Sequence, residues 1–266
     1  MKYYAAVVNE DEIRASCAVP PYHILCSYHY FKTKPDLIKE CLSKNYSVLI
    51  DSGAFSAANS GSIIEIDEYC EFILETGVVL YAGLDVIGNA EATRKNVEYM
   101  KSNYHLNPIP TFHMGSDLKD LEMLMEYPYV ALGGMVFSKN IQNHCDAVWN
   151  YIIKNNPKLR VHGFGLTNVE LMKRYPWYSV DSSSFKSCKR FGRQNILWDG
   201  FNFKSFSEKE FLAWMETIGM KPETNKEKWF LYDFFGAESY KKYGEHLKEL
   251  NKHKKFDFLI NQQKLF

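Results

Sequence analysis

Short apolar runs recur along the chain, and polar residues and turn formers separate them. Runs of this kind, rich in β-branched and aromatic residues, predict buried strands. The predicted strands are 23–28, 47–51, 79–85, 109–113, 129–133, 160–164, 178–181 and 195–198.

Between these strands, apolar residues recur with helical spacing. The predicted helices are 35–45, 66–76, 90–103, 117–126, 141–154 and 167–174. Eight strands that alternate with helices are typical of a parallel sheet, and their number predicts an α/β protein of the TIM-type (β/α)8 barrel class. An open doubly wound sheet is the alternative, but it usually has a Gly-rich phosphate turn after its first strand, and this sequence shows none there.

The pattern changes near residue 204. Ser207 and Glu210 have the spacing of a capping box, which predicts the start of a helix. Further helices are expected within 225–250, a stretch rich in aromatic residues and lysines. We therefore predict a catalytic barrel over 1–204 and a helical extension over 205–266 that packs on the barrel.

Charge is unevenly distributed, although the formal net charge is zero. Residues 1–181 carry 16 Lys and Arg against 21 Asp and Glu, whereas residues 182–266 carry 16 against 11. We expect a polynucleotide partner to contact the C-terminal third, where the basic excess lies.

The six cysteines are scattered, with no CxxC or CxC pair. This spacing predicts neither a zinc cluster nor a disulfide framework, and it suits a reducing cytoplasm. The amino-terminal stretch lacks the apolar segment of a signal peptide, and no run approaches the ~18 apolar residues of a membrane span. We expect a cytoplasmic protein without a membrane partner, a metal or a cofactor.

Polar residues and glycines stand at the ends of the predicted strands. In a barrel these ends meet at one rim, which carries the active site. Asp51, Asp85 and Asp181 each follow an apolar strand, and His113 and His162 lie at the ends of two others. A single Asp in such a place often only caps the next helix. Three together favour a site with chemistry.

Several segments resemble motifs of the tRNA-guanine transglycosylase family. Residues 51–55 (DSGAF) resemble its Asp-Ser-Gly-Gly-Phe motif, and 131–135 (ALGGM) resemble its Gly-Gly-Leu turn. Residues 162–165 (HGFG) resemble the family segment that precedes the nucleophile strand, and Asp181 stands where the family has its nucleophilic aspartate. The resemblance covers about residues 47–193.

The resemblance implies a base exchange at C1′ of a nucleotide. Asp181 would form a covalent glycosyl intermediate, Asp51 would act as general acid and then as base, and Asp85 would recognise the guanine-type base. Two displacements of this kind retain configuration, as in retaining glycosidases. The other residues implied to bind substrate are Ser52, Gly53, Phe112, His113, Gly133, Gly134 and Gly165.

The sequence also departs from the family pattern. Ala54 replaces a glycine, His113 stands where Gln is common, and the cysteine-rich zinc site is missing. A compact zinc-free version resembles the phage and genomic-island branch that inserts 7-deazaguanine bases into DNA. We therefore expect DNA and a free 7-deazaguanine base as partners. The basic side chains expected to contact phosphates follow the nucleophile: Lys186, Lys189, Arg190 and Arg193.

Three alternatives stay open. The same exchange could act on tRNA, or the barrel could bind a polynucleotide or a protein without catalysis. An unrelated hydrolase could use Asp51, Asp85 and the histidines as metal ligands, although no His-x-His or His/Asp pair has short ligand spacing. Whether the chain forms a homodimer is open as well.

Overall fold

The computed structural model describes residues 1–113, 115–135, 141–252, 254 and 256. The strands within these residues are β1 (Lys2–Val7), β2 (His23–Ser27), β3 (Ser47–Asp51), β4 (Leu80–Tyr81), β5 (Thr111–His113), β6 (Tyr129–Gly133), β7 (Arg160–Gly163), β8 (Ser179–Ser182), β9 (Arg193–Leu197) and β10 (Phe203–Ser207).

Helices follow most of the strands. They are α1 (Glu10–Ser16), α2 (Tyr28–Phe31), α3 (Pro35–Ser43), α4 (Ala54–Ser60), α5 (Ile66–Thr76), α6 (Ala90–Tyr104), α7 (Leu118–Glu122), α8 (Ile141–Asn155), α9 (Val169–Arg174), α10 (Ser187–Phe191), α11 (Glu208–Thr217) and α12 (Asn225–Asn251), with a 3-10 helix at Ser184–Lys186. Among the described helices, none combines the length and the apolar character needed to cross a bilayer.

The first eight strands form one parallel sheet in the order β4-β3-β2-β1-β8-β7-β6-β5. Its two edges meet, because Ala82 beside β4 forms a parallel bridge to Ile109 before β5. Ile109 N–H donates to the Tyr81 carbonyl over 2.8 Å, and Gly83 N–H donates to the Ile109 carbonyl over 3.0 Å. The sheet is therefore curled, with helices between its strands, and is consistent with a TIM-like barrel.

Side chains alternate between the two faces of the curled sheet. Inside it, a small apolar cluster is formed by Tyr4, Leu25, Leu49, Ile109 and Ala131. Outside it, Ile50 and Val180 belong to the larger core between strands and helices. Because neighbours along a strand face opposite ways, Asp51 and Asp181 face the interior.

Most of the predicted elements are confirmed. The predicted strands 47–51 and 129–133 coincide with β3 and β6, and the predicted helix 66–76 coincides with α5. The capping box at Ser207 is present, since Ser207 Oγ accepts from Glu210 N–H and the Glu210 carboxylate accepts from Ser207 N–H. These elements have strong local signals in the sequence.

The prediction that 195–198 is a strand of the barrel is wrong. This run belongs to β9, which pairs antiparallel with β10 in a separate two-stranded sheet. Asp199 accepts hydrogen bonds from the N–H groups of Phe201 and Asn202, and Gly200 has a left-handed φ of 83°. This turn folds the chain back on itself, so β9 pairs with β10 and not with the parallel sheet. β1, which was not predicted, fills the place by pairing with β2 and β8.

The C-terminal helix α12 packs along β1. Tyr240 stacks on Tyr3 with ring centroids 5.0 Å apart, and the Met1 amino group donates to the Gly244 carbonyl over 3.0 Å. The contact is close, since a Cβ at Gly244 would lie 2.9 Å from the Met1 carbonyl oxygen. The predicted boundary after residue 204 falls within β10 and stays a prediction, and residues 257–266 of the predicted extension lie outside the described residues.

Candidate active site

The carboxyl end of the curled sheet collects the predicted acidic residues. Asp51 ends β3, Asp181 is the third residue of β8, and Asp85 follows β4. His113 ends β5, so it reaches the same rim. Ligand sites of parallel α/β folds lie at this end, where loops and helix starts surround the strand termini.

Asp181 is held firmly on one side. Its Oδ1 accepts hydrogen bonds from His162 Nε2 over 3.1 Å and from the Gly165 N–H over 3.0 Å. Gly165 has a left-handed φ of 60°, which lets its amide turn towards the carboxylate. Asp181 is 6% exposed, so it is a buried carboxylate that retains a small opening to solvent.

A chain of buried hydroxyls continues behind His162. His162 Nδ1 lies 2.6 Å from Ser179 Oγ, and Ser179 Oγ lies 2.5 Å from the Tyr129 hydroxyl. His162 and Ser179 are completely buried. The chain links β6, β7 and β8 across the interior and ends at the Asp181 carboxylate.

The surroundings of Asp51 strongly alter its acidity. Burial, together with the negative charges of Asp181 and Asp85, raises its pKa to about 7, against the opposing backbone N–H groups of Gly53 and Ser52. A carboxyl group with this pKa exchanges a proton readily near neutral pH. The effect also shows that the three carboxylates lie close enough to interact.

Asp85 and His113 form a second pair at the rim. Asp85 Oδ2 lies 3.5 Å from His113 Nε2, and each side chain is 14% exposed. This distance permits an ion pair, but neither His113 nitrogen has a hydrogen-bond partner among the described residues. Both side chains therefore have hydrogen-bonding capacity left for a ligand.

Other buried polar atoms at this end also lack partners in the described part of the chain. They are Asp85 Oδ1, Ser27 Oγ and Ser52 Oγ. Ser27 ends β2 beside Asp51 of β3. Buried polar groups are nearly always paired in folded proteins, so this concentration indicates a site that a polar ligand completes.

Two of the predicted glycines are required by close packing. A Cβ at Gly53 would lie 2.5 Å from Ser27 Oγ, and its φ of 78° is left-handed. A Cβ at Gly133 would lie 2.9 Å from Thr111 Cγ2 and 3.4 Å from His113 Cδ2. Gly134 follows at an exposed, left-handed position. Gly53 and Gly133 thus let the backbone near Asp51 and His113 pack closely against Ser27 and Thr111.

Phe112 is not brought to the site. It is 2% exposed and belongs to the outer core between the sheet and the helices. Phe164 does lie on the inner side, where it packs with the interior cluster. Its ring lies 4.7 Å from that of His162, in an edge-to-face arrangement.

The four predicted phosphate contacts divide into two kinds. Lys186 is buried and pairs with Glu12 over 2.6 Å, and Lys189 pairs with the buried Asp233. Arg190 is exposed and donates to Ser183 Oγ over 2.9 Å, which places it near Asp181. Arg193 is exposed too, on the β9–β10 sheet.

Sequence reasoning placed His162 at the rim but predicted no contact between His162 and Asp181, and it did not single out Ser179, Tyr129 or Phe164 as site residues. The signal was partly there, because His162 and Phe164 share the alternation that points Asp181 inward. Tyr129 and Ser179 stand at strand starts, far in sequence from the rim residues, so their contact with His162 is visible only in three dimensions.

Across the described ranges, no group of three or more His, Cys, Asp and Glu side chains is arranged to hold a metal ion. Comparison of the chain with models of known protein families and with curated protein sequences finds no match. The resemblance to transglycosylases therefore depends on the sequence motifs alone.

Proposed function

We propose that this chain is a transglycosylase that exchanges guanine for a 7-deazaguanine base in DNA through a covalent aspartyl intermediate. The single observation that carries the proposal is the trio of Asp51, Asp85 and Asp181, in which burial and then the charges of Asp181 and Asp85 raise the pKa of Asp51 to about 7. A carboxyl group that holds its proton near neutral pH beside a second carboxyl group is typical of paired acid–base and nucleophile roles. We also propose that the curled sheet is a closed (β/α)8 barrel.

In the first displacement, the Asp181 carboxylate attacks C1′ of the target nucleotide. A bond forms between the carboxylate oxygen and C1′, and the bond from C1′ to N9 of guanine breaks. The leaving base takes the electron pair and gains a proton from Asp51. A pKa of about 7 leaves Asp51 substantially protonated at neutral pH, as this step requires.

In the second displacement, the incoming base attacks C1′ through its own ring nitrogen. Asp51, now ionised, removes the proton from that nitrogen, while the bond between Asp181 and C1′ breaks. The electron pair returns to the Asp181 carboxylate, whose Oδ1 is stabilised by the His162 and Gly165 donors. Configuration at C1′ is retained after the two inversions.

Base selection is proposed for Asp85 and His113. A carboxylate can accept hydrogen bonds from both N1–H and the exocyclic amine of guanine, an edge that adenine does not present. Asp85 Oδ1 has no described partner, and His113 lies 3.5 Å from Oδ2 with both nitrogens available. The target nucleotide must leave the base stack to reach these groups.

The test is incubation of the purified protein with labelled guanine and either duplex DNA or tRNA, followed by nucleoside analysis. Label in DNA supports the proposal, and label in tRNA alone moves the same chemistry to the alternative substrate. Asp181→Asn is the matched control, because it preserves size and hydrogen-bond acceptance at Oδ1 while removing the nucleophile. Label in neither substrate would overturn the exchange and leave a barrel that only binds.

A further inference from the structure

The two oxygens of Asp181 have unequal surroundings. Oδ1 accepts two hydrogen bonds, from His162 Nε2 and from the Gly165 amide. No described residue donates to Oδ2. One oxygen is thus fixed in place by the protein, and the other is left for a reaction partner.

The available donors and acceptors fix the direction of the hydrogen bonds that run from Tyr129 through Ser179 and His162 to Asp181. An ionised carboxylate only accepts, so Nε2 of His162 must carry the proton that it donates to Asp181. In a neutral imidazole Nδ1 then accepts, so Ser179 donates to it and accepts in turn from the Tyr129 hydroxyl. Each of these polar atoms has a partner, and the ring of His162 is held in one orientation.

We infer that His162, held by Ser179 and Tyr129, is a positioning residue that fixes Oδ1 of Asp181 and thereby selects Oδ2 as the attacking oxygen. This inference rests on the proposed function. The Nε2–H group remains on Oδ1 when Oδ2 binds C1′, and it is in place when the negative charge returns in the second displacement. No reorganisation is then needed at the moment of reaction.

A half-buried histidine on another strand provides a control. His23 also lies near the sheet interior, where its ring stacks on Tyr4 with centroids 5.2 Å apart. It stands at the start of β2, away from the carboxyl end. Substitution of His23 reports the general cost of losing a partly buried imidazole from the curled sheet, without touching Asp181.

The experiment compares His162→Leu, His162→Gln, Ser179→Ala and His23→Leu in the labelled-guanine exchange. His162→Leu is expected to lower kcat by about 10²–10³-fold, the usual loss for a preorganised donor. Its KM for the base should stay within about threefold, because His162 contacts the nucleophile and not the base. His162→Gln restores an N–H donor and should recover most of the rate, and His23→Leu should exchange at the parental rate.

Nitrogen NMR of the parent gives a readout independent of activity. His162 is expected to be protonated at Nε2 and unprotonated at Nδ1, and Ser179→Ala should weaken this preference. Protonation at Nδ1 alone, or a folded His162→Leu variant with parental kcat, would overturn the inference. If the parent protein exchanges no base, the proposed function is wrong. The NMR measurement then still tests whether the Nε2–H group of His162 is bonded to Asp181 as described.

Discussion

The polar groups at the two ends of the curled sheet differ in their hydrogen bonding. Towards the amino end, hydroxyls satisfy one another: Tyr4 bonds to Ser47 over 3.0 Å, and Tyr129 bonds to Ser179 over 2.5 Å. At the carboxyl end, Ser27, Ser52, Asp85 and His113 leave polar atoms without a partner in the described residues. The fold itself pairs these hydroxyls towards the amino end, whereas the polar atoms at the carboxyl end are available to a ligand.

His23 and Thr111 are exceptions towards the amino end, since His23 Nδ1 and Thr111 Oγ1 have no described partner. Burial lowers the pKa of His23 to about 4, with help from nearby lysines, so the ring stays neutral at physiological pH. A neutral unpaired nitrogen costs less than an unpaired charge. The carboxyl end, by contrast, concentrates three carboxylates, which is a costly arrangement unless function requires it.

The largest expected effect is at the proposed nucleophile. Asp181→Ala should lower exchange by about 10⁴-fold or more, because it removes the carboxylate oxygen that would bond to C1′. The variant also leaves the His162 donor unpaired, which costs ~1–3 kcal/mol of stability. Exchange kinetics and thermal unfolding measure the two effects, and near-parental exchange would exclude Asp181 as nucleophile.

Asp51→Asn is expected to slow exchange by about 10²–10⁴-fold through loss of acid–base help. Although the variant is expected to be less active, its free energy of unfolding should rise relative to that of the parent as the pH increases. The folded pKa of about 7 lies above the ordinary 3.8, so the parent binds this proton more tightly when folded and loses stability as pH rises from about 4 to 7. The asparagine variant lacks this loss.

Denaturant titrations across that range should therefore show Asp51→Asn gaining on the parent by up to ~1.4 kcal/mol per pH unit. The gain should level off above about pH 7. A difference that is independent of pH would mean that Asp51 titrates normally and is not the proton shuttle.

Asp85→Ala should reduce discrimination between guanine and adenine-type bases by about 10²–10⁴-fold. The reason is that the variant no longer penalises a base without the N1–H and amine donors. Competition between labelled bases measures the ratio. Unchanged preference would place base recognition elsewhere.

The smallest effects separate the exposed arginines from the paired lysines. Arg190→Ala should weaken DNA binding and lower the salt slope by about one unit, with free-base affinity unchanged. Lys186→Ala should leave the slope alone but cost about 3–5 kcal/mol of stability, because Glu12 would remain buried without its partner. A reduced salt slope in a folded Lys186→Ala variant would contradict this division.

The fold was largely predictable because each strand has its own apolar run. The helix predicted at 90–103 agrees with α6, whose Asn89 cap accepts from Ala92 N–H. The run 195–198 is wrongly predicted as a barrel strand because it makes up the count of eight apolar runs, while the turn signal that follows it is not considered. The Asp199-Gly200 pair is a hairpin signal, and its neighbour across the turn, Phe203–Ser207, completes the hairpin.

The site was predictable only in part. The strand ends identify Asp51 and Asp181, because the carboxyl ends of parallel strands meet at one rim. Phe112 was expected in the site, but its neighbours Thr111 and His113 occupy the inner face, so alternation directs Phe112 outwards. The hydrogen-bonded series through His162 joins residues from three strands, and a single sequence does not show which distant residues come into contact.

The most direct measurement is capture of the covalent intermediate. The parent is incubated with substrate DNA, quenched by denaturation and digested, and the peptides are analysed by mass spectrometry. The account predicts a nucleotide adduct on the peptide that contains Asp181, absent from Asp181→Asn and undiminished in Arg190→Ala at saturating DNA. Exchange of labelled guanine with no adduct on Asp181, or with the adduct on Asp51, would contradict it.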